Sequence, residues 1–411
     1  MNIFLKDNKK NQIYHWEFLI SDINETKSFN PYCYTDDYYA VFKQIIVSLL
    51  INEKIVLLDA DFSPTEVAHL TGVSELGAFT KPLIENQLQK IQNLDDLIQK
   101  LNGSHPQWAI TLFTSGTTGI PKKVSHDFSS ITRHVKKSSR QKNCTWGFAY
   151  HPTHMAGLQV FLQALLNGNT IIRLFGLDTQ DICEEIKTCH ITHISATPTF
   201  YKLLIAIGGQ YSSVIRVSSG GEKQNPKLFE DIQSLFPNAK ITNIYASTEV
   251  GALFASENDI FSVKAAFVDQ VKFVENELWV HHSLMGETEN NSDEWYQSGD
   301  MVEIISNDPI QFRFVNRKNE MINVGGYKVN PHEVEEAIMN IEGISQVRVF
   351  AKSNSVLGNI VCCEVMVTRQ NITEADIREY LQSKIQEFKI PRIISFVDAI
   401  STTRTGKLIR S

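Results

Sequence analysis

The chain has 411 residues and a formal net charge of −7, from 39 Lys plus Arg against 46 Asp plus Glu. At 42% hydrophobic and 21% charged it can bury sizeable cores, which excludes a disordered chain. Its mild acidity speaks against a general nucleic-acid binder, whose surface must neutralise phosphates. No apolar run approaches the roughly 20 residues that cross a bilayer, and the N-terminus lacks the apolar centre of a signal peptide, so a cytoplasmic protein without a membrane span is expected.

In chain order, apolar residues at helical spacing predict a helix over 38–50, and IVLLDAD at 55–61 a short buried strand. Ser63-Pro64-Thr65-Glu66 reads as a capping box with proline at the first helical position. Residues 1–112 form a mixed lead-in. From about 107 onward, strand-like runs at 109–113, 170–175, 192–196 and 214–219 alternate with helical patterns near 157–167, 178–189 and 198–207. This alternation predicts a doubly wound α/β sheet, with ligands beyond the carboxyl ends of its strands. After about 318 the texture changes. Asn330-Pro331-His332-Glu333 is expected to be a second capping box, followed by strands within 345–351 and 359–367 and a helix opened by Thr373. The expected division is therefore a large α/β domain over 1–318 and a small, mobile α+β domain over 319–411.

Six cysteines in so long a chain are no disulfide framework. Cys189-His190-x-x-His193 and His151-x-x-His154 each place two ligating residues close together. Neither has a partner pair at zinc-like spacing, so core or structural roles are expected there rather than a metal.

The strongest chemical signal is Thr114-Ser115-Gly116-Thr117-Thr118-Gly119-Ile120-Pro121-Lys122-Lys123, directly after the 109–113 strand. Glycines let successive N–H groups turn inward as a nest, hydroxyls add donors, and Lys122 is a nearby cation, a combination suited to polyphosphate oxygens. The P-loop NTPase pattern is excluded, because no Gly-Lys-Ser/Thr follows at its spacing.

That loop resembles the phosphate-binding loop of the adenylate-forming superfamily: acyl- and aryl-CoA ligases, peptide-synthetase adenylation domains and luciferases. Four further segments match the family in order, YASTE (245–249), SGD (298–300), NRKNEMINVGGYKVNPHEVE (316–335) and TRTGK (403–407). The resemblance covers roughly residues 107–411 and implies ATP-dependent activation of a small-molecule carboxylic acid through an acyl-adenylate. It puts Thr114, Ser115, Gly116, Thr117, Thr118, Gly119 and Lys122 on the phosphates, Thr248 near the α-phosphate and Glu249 on Mg2+. It further places Tyr245 and Gly220-Gly221-Glu222 at adenine, and Asp300 and Arg317 on the ribose hydroxyls. Lys407 matches the lysine that reaches from the small domain to the reacting carboxylate and phosphate. His154 matches a position beside the acyl carboxylate, Asn319 the hinge, and Gly325-Gly326 the loop beside the pantetheine thiol. Asn319 stands where Asp or Lys is usual, and Asn316 where Gly is usual; Asn tolerates left-handed backbone angles at both.

Within the family, the stretch around HPTHMAGLQV is most similar to compact o-succinylbenzoate- and aryl-acid-CoA ligases. The thiol acceptor is then coenzyme A, with the phosphopantetheine of an acyl carrier protein as the alternative partner and a homodimer left open. A non-catalytic nucleotide-binding relic would have lost Lys407, Glu249 and Lys122, and all three are present.

Overall fold

The computed structural model describes residues 2–73, 75–84, 87–114, 121–222, 226–288, 293–318, 321–324, 327–354, 358–368 and 372–400. Its main layer is an eight-stranded sheet in the order Gly251–Ser256, Lys240–Ser247, Arg216–Gly220, His193–Ala196, Thr145–Phe148, Thr170–Arg173, Ile3–Asp7, Gln12–His15. The inner six strands are parallel and the two edges antiparallel. Helices cross between successive strands, including Met155–Leu165, Thr179–Thr188 and Pro198–Ile207, so the expected α/β winding is observed with boundaries shifted by a few residues. From Thr145–Phe148 the chain winds first to one side, through Thr170–Arg173, and then returns to the other through His193–Ala196. The order reverses at this strand, and such a reversal opens a crevice at the carboxyl ends where ligands bind.

The lead-in is less peripheral than its sequence suggests. Ile3–Asp7 enters the main sheet beside Thr170–Arg173, and buried Asp7 takes Arg173 Nη1 at 2.9 Å. The Arg173 guanidinium in turn lies 3.8 Å from the Tyr38 ring centroid. Tyr38–Leu50 is helical as expected, because Asp37 caps Ala40 N at 3.0 Å and the apolar residues fill the core on both flanks. Ser63 and Glu66 form the capping box at Pro64–Thr71.

A second sheet runs Glu287–Thr288, Lys122–Asp127, Ala109–Thr114, Ile55–Leu58, Tyr32–Tyr34. Here the strand Ala109–Thr114 leads into an antiparallel hairpin and not into a helix: Thr114 pairs with Lys122. A third, antiparallel sheet contains Val271–Val274, Glu277–His281, Trp295–Asn307 and Ile310–Arg317, with Phe261–Ser262 at its edge. The small C-terminal unit has its own core, which draws on Ile322, Val334, Ile338, Val349, Val365, Ile377 and Ile394. Its first helix, Pro331–Met339, is capped by Asn330 onto His332 N, but the expected capping box does not form. Glu333 faces Lys389 at 2.6 Å instead, since the ammonium supplies a stronger donor than the cap N–H. No helix of the described residues is long and apolar enough to cross a membrane.

Burial also makes one strand pH-sensitive. His193, 4% exposed and tilted against Trp146, has its pKa pushed down to about 4 by burial and then by the charge of Arg216. Above about pH 6.5 the imidazole is neutral in both folded and unfolded chains. Between about 6.5 and 4 only the unfolded chain takes up the proton, so stability falls as the pH falls. His193→Gln is expected to flatten that slope by up to about 1.4 kcal/mol per pH unit, read by denaturant titrations at pH 7 and pH 5. Equal slopes in both proteins would contradict a buried neutral imidazole.

Candidate active site

Several of the expected site residues sit at the carboxyl ends of the parallel strands. Tyr245 is near the end of Lys240–Ser247, Gly220 ends Arg216–Gly220, and His154 follows Thr145–Phe148. Asp300 and Arg317 arrive from the antiparallel sheet, as directly paired residues of neighbouring strands.

These contributions meet at Asp300. Its carboxylate, 7% exposed, accepts the Tyr245 hydroxyl at 2.6 Å and Arg317 Nε at 2.7 Å, with Arg317 Nη2 at 3.4 Å. A bulge within the strand Trp295–Asn307 aims it: Gly299 takes φ +74°, and the Ser298 hydroxyl accepts Asp300 N at 3.0 Å. Glu277 steadies the bulge by accepting Gly299 N at 3.0 Å, while its other oxygen faces Lys318 Nζ at 3.0 Å. Tyr245 stacks one ring face on Phe314, centroids 4.2 Å apart. Its phenol pKa is driven well up by burial and then by the Asp300 charge, so the hydroxyl stays a donor. Nearby Tyr296 is raised by burial and then by the charge of Glu249.

Thr248 and Glu249 lie in a clamped turn. His126, 1% exposed, donates from Nε2 to Thr248 O at 2.7 Å. Its Nδ1 must then be the acceptor for the Ser130 hydroxyl at 3.0 Å, and burial keeps the ring neutral by lowering its pKa. Gly286 N donates to Glu249 O at 2.8 Å. A Cβ at Gly286 would stand 2.7 Å from both Cε1 and Nε2 of His126, so the turn needs glycine there. Gly286→Ala is expected to cost about 1–3 kcal/mol in stability, by pushing His126 off Thr248. Denaturant titration reads the loss. Wild-type stability would mean that His126 does not hold the turn.

Gly220 allows strand packing, since a Cβ there would meet Ile244 O at 2.6 Å. Gly221 takes φ +84°. Glu222 turns toward the helix Pro198–Ile207 and accepts Thr199 N at 3.0 Å and Thr199 Oγ1 at 2.8 Å, so its carboxylate holds a helix N-terminus. His154 Nε2 lies 3.3 Å from Asp59 Oδ2, a partner that sequence spacing did not reveal. Asp59 directly follows Ile55–Leu58, which runs parallel to Ala109–Thr114. The His154 pair and the carboxyl end of Ala109–Thr114 therefore share one end of the second sheet. His151 is held neutral, its pKa pushed down to about 4 by burial and then by the charge of His154. Lys122, exposed, opens the return strand of the hairpin. Thr114 is described as a strand position only, and Ser115, Gly116, Thr117, Thr118, Gly119, Asn319, Gly325, Gly326 and Lys407 lie outside the described residues.

A large α/β domain whose strand order reverses, a buried carboxylate framed by Tyr and Arg beside the strand ends, and a small α+β domain together describe an α/β protein of two units. Models of two families match the chain: AMP-binding enzyme over residues 43–271 and AMP-binding enzyme C-terminal domain over 333–407. The chain belongs to the AMP-binding enzyme family. Among curated relatives, the 2-succinylbenzoate–CoA ligase of Staphylococcus epidermidis is 27% identical over 329 residues, covering 74% of this chain and 68% of that protein. Its counterpart in Listeria innocua is 25% identical over 328 residues, covering 74% and 69%. Solved structures share the fold. The o-succinylbenzoate CoA synthetase of Bacillus subtilis, in complex with the acyl-adenylate OSB-AMP, superposes with a TM-score of 0.69 at 15% identity, covering 100% of this chain and 94% of that one. ATP-bound MatB from Rhodopseudomonas palustris gives 0.72 at 14% identity, covering 99% and 94%.

Proposed function

We propose that this enzyme is an AMP-forming acid–thiol ligase that activates a carboxylic acid with ATP and passes the acyl group to coenzyme A in the cytoplasm. The observation that carries the reading is the Tyr245–Asp300–Arg317 cluster at the strand ends, in a chain that both family models match. The names of the curated relatives favour an aryl acid of the 2-succinylbenzoate type.

A carboxylate is a poor electrophile, and its attack on the α-phosphorus of ATP brings two anions together. The site must therefore neutralise charge and align the groups. In this reading Asp300 and Arg317 grip the ribose hydroxyls, and the Tyr245 side chain meets the adenine. Residues 114–122 cradle the outer phosphates, and Thr248 contacts the α-phosphate from its clamped turn. Glu249, a hard oxygen ligand beside that turn, fits Mg2+, which supplies charge neutralisation between phosphates when bound. His154 orients the acyl carboxylate. The 319–411 domain then turns about Asn319, withdrawing Lys407 after adenylation and bringing Gly325-Gly326 beside the thiol.

Acid-dependent ATP–pyrophosphate exchange over a panel of carboxylic acids tests the first half, with 2-succinylbenzoate among them. Thioester formation with coenzyme A or with a phosphopantetheinylated carrier protein tests the second. Exchange with an aryl acid followed by transfer to coenzyme A is expected. Transfer to the carrier alone would replace the acceptor, and no exchange with any acid would sink the reading.

A further inference from the structure

Away from the nucleotide cluster, two distant stretches of chain bring three ligating side chains together. His151 and His154 lie in the turn before the helix Met155–Leu165, and Asp59 directly follows Ile55–Leu58 of the second sheet. One ligating atom from each residue lies within 4.8 Å of the other two. The turn is tightly set. A Cβ at Gly157 would stand 2.2 Å from His151 O, so the glycine lets the helix close onto the turn.

The donor set and its spacing suit one class of ion. Two ligands of a tetrahedral zinc ion, at about 2.0–2.1 Å each, stand about 3.4 Å apart. His154 Nε2 and Asp59 Oδ2 are already 3.3 Å apart. The His151 and His154 rings meet edge to face with centroids 5.4 Å apart, and a ligating nitrogen of His151 stands within 4.8 Å of the other two ligand atoms, so the three side chains face one position. Each of two ligands also carries the kind of outer hydrogen bond that fixes metal-binding groups. His151 Nδ1 engages Thr153 Oγ1 at 2.7 Å, and Asp59 Oδ1 accepts Asp61 N at 3.2 Å. Two imidazoles with one carboxylate select a first-row transition ion over Mg2+, which prefers oxygen ligands and retains its waters.

We propose that Asp59, His151 and His154 form a binding site for a divalent first-row transition-metal ion, separate from the Mg2+ position at Glu249. Its effect on turnover rests on the reading of His154 as the residue facing the acyl acid: an ion that takes this ring withdraws it from the substrate, so occupancy opposes acid activation.

Zn2+ is the probe. Full-length protein, stripped with a chelator and dialysed against micromolar Zn2+, is expected to retain about one ion per chain by metal analysis. Asp59→Asn and His151→Gln should each weaken binding by about tenfold or more, whereas His190→Gln, at an exposed position, should leave it unchanged. Co2+ in place of Zn2+ should give the intense visible bands of a low-coordinate site, lost in His151→Gln. Should Asp59→Asn fail to fold, His151→Gln carries the comparison. A substoichiometric metal content, or equal binding by wild type and both ligand variants, overturns the site and leaves a hydrogen-bonded Asp–His pair. In the exchange assay Zn2+ should inhibit the wild type and lose that effect in His151→Gln. Stoichiometric binding without inhibition upholds the metal site and detaches His154 from the acyl subsite, a failure of the functional reading alone.

Discussion

Asp300→Ala is expected to raise the KM for ATP by about two orders of magnitude, equivalent to about 2.7 kcal/mol of lost nucleotide binding. Three donors already point at this carboxylate, and a carboxylate offers about four lone-pair positions. The weakest contact, Arg317 Nη2 at 3.4 Å, leaves room on the carboxylate for a ribose diol while Tyr245 and Nε stay in place. Removing the carboxylate takes away both the acceptor for the diol and the partner of the Tyr245 hydroxyl. The ring that would meet the adenine loses its anchor at the same time. Asp300→Asn should do little better, because its amide presents a donor to Arg317 where an acceptor is needed. The loss should fall mainly on KM, since the ribose is gripped alike before and during phosphoryl chemistry. A KM within threefold of wild type, in a variant with wild-type thermal stability, would falsify the assignment of Asp300 to the ribose.

How much of this was legible in the sequence depended on how local the cause was. The helix Tyr38–Leu50 and the capping box at Ser63 follow from residues three or four apart, and both formed as read. Asn330 capped its helix, but the fate of Glu333 was decided by Lys389, 56 positions away, which no local pattern contains. The antiparallel strands between 271 and 317 escaped notice because each is paired by its neighbours and not by any crossing helix, so the strand-helix rhythm fell silent there. At the site, Ser298-Gly299-Asp300 read by composition is an ordinary turn. In the structure these residues form a bulge within the strand Trp295–Asn307, and Gly299 at positive φ aims Asp300 toward Tyr245. His126 and Asp59 were invisible for a different reason. Each acts on a residue roughly 100 positions distant, His126 on Thr248 and Asp59 on His154, and only the meeting of two sheets creates those contacts.

Lys407→Ala is expected to reduce acid-dependent ATP–pyrophosphate exchange by about 10²–10³-fold, while thiol attack on a pre-formed acyl-adenylate stays within about threefold of wild type. The asymmetry follows from where charge accumulates. During adenylation the attacking carboxylate, the α-phosphate and the leaving pyrophosphate are all negative, and in-line attack crowds that charge around one phosphorus. A cation held there counts for several kcal/mol, comparable to the loss of a transition-state donor. In the second half-reaction the leaving group is AMP and the nucleophile a thiol, and the proposed rotation of the 319–411 domain has carried Lys407 away. A lysine suits this duty because its ammonium is a compact charge on a flexible stem, able to arrive with the lobe and depart with it. Lys407→Arg separates charge from fit: if neutralisation alone mattered, it would restore most of the exchange, whereas a requirement for a point charge between two anions leaves it near the alanine level. Arg317 on the large lobe does not substitute, since it is engaged with Asp300. Equal loss of both half-reactions in Lys407→Ala would mean that one closed arrangement serves the whole cycle, and the rotation about Asn319 would have no task left to perform.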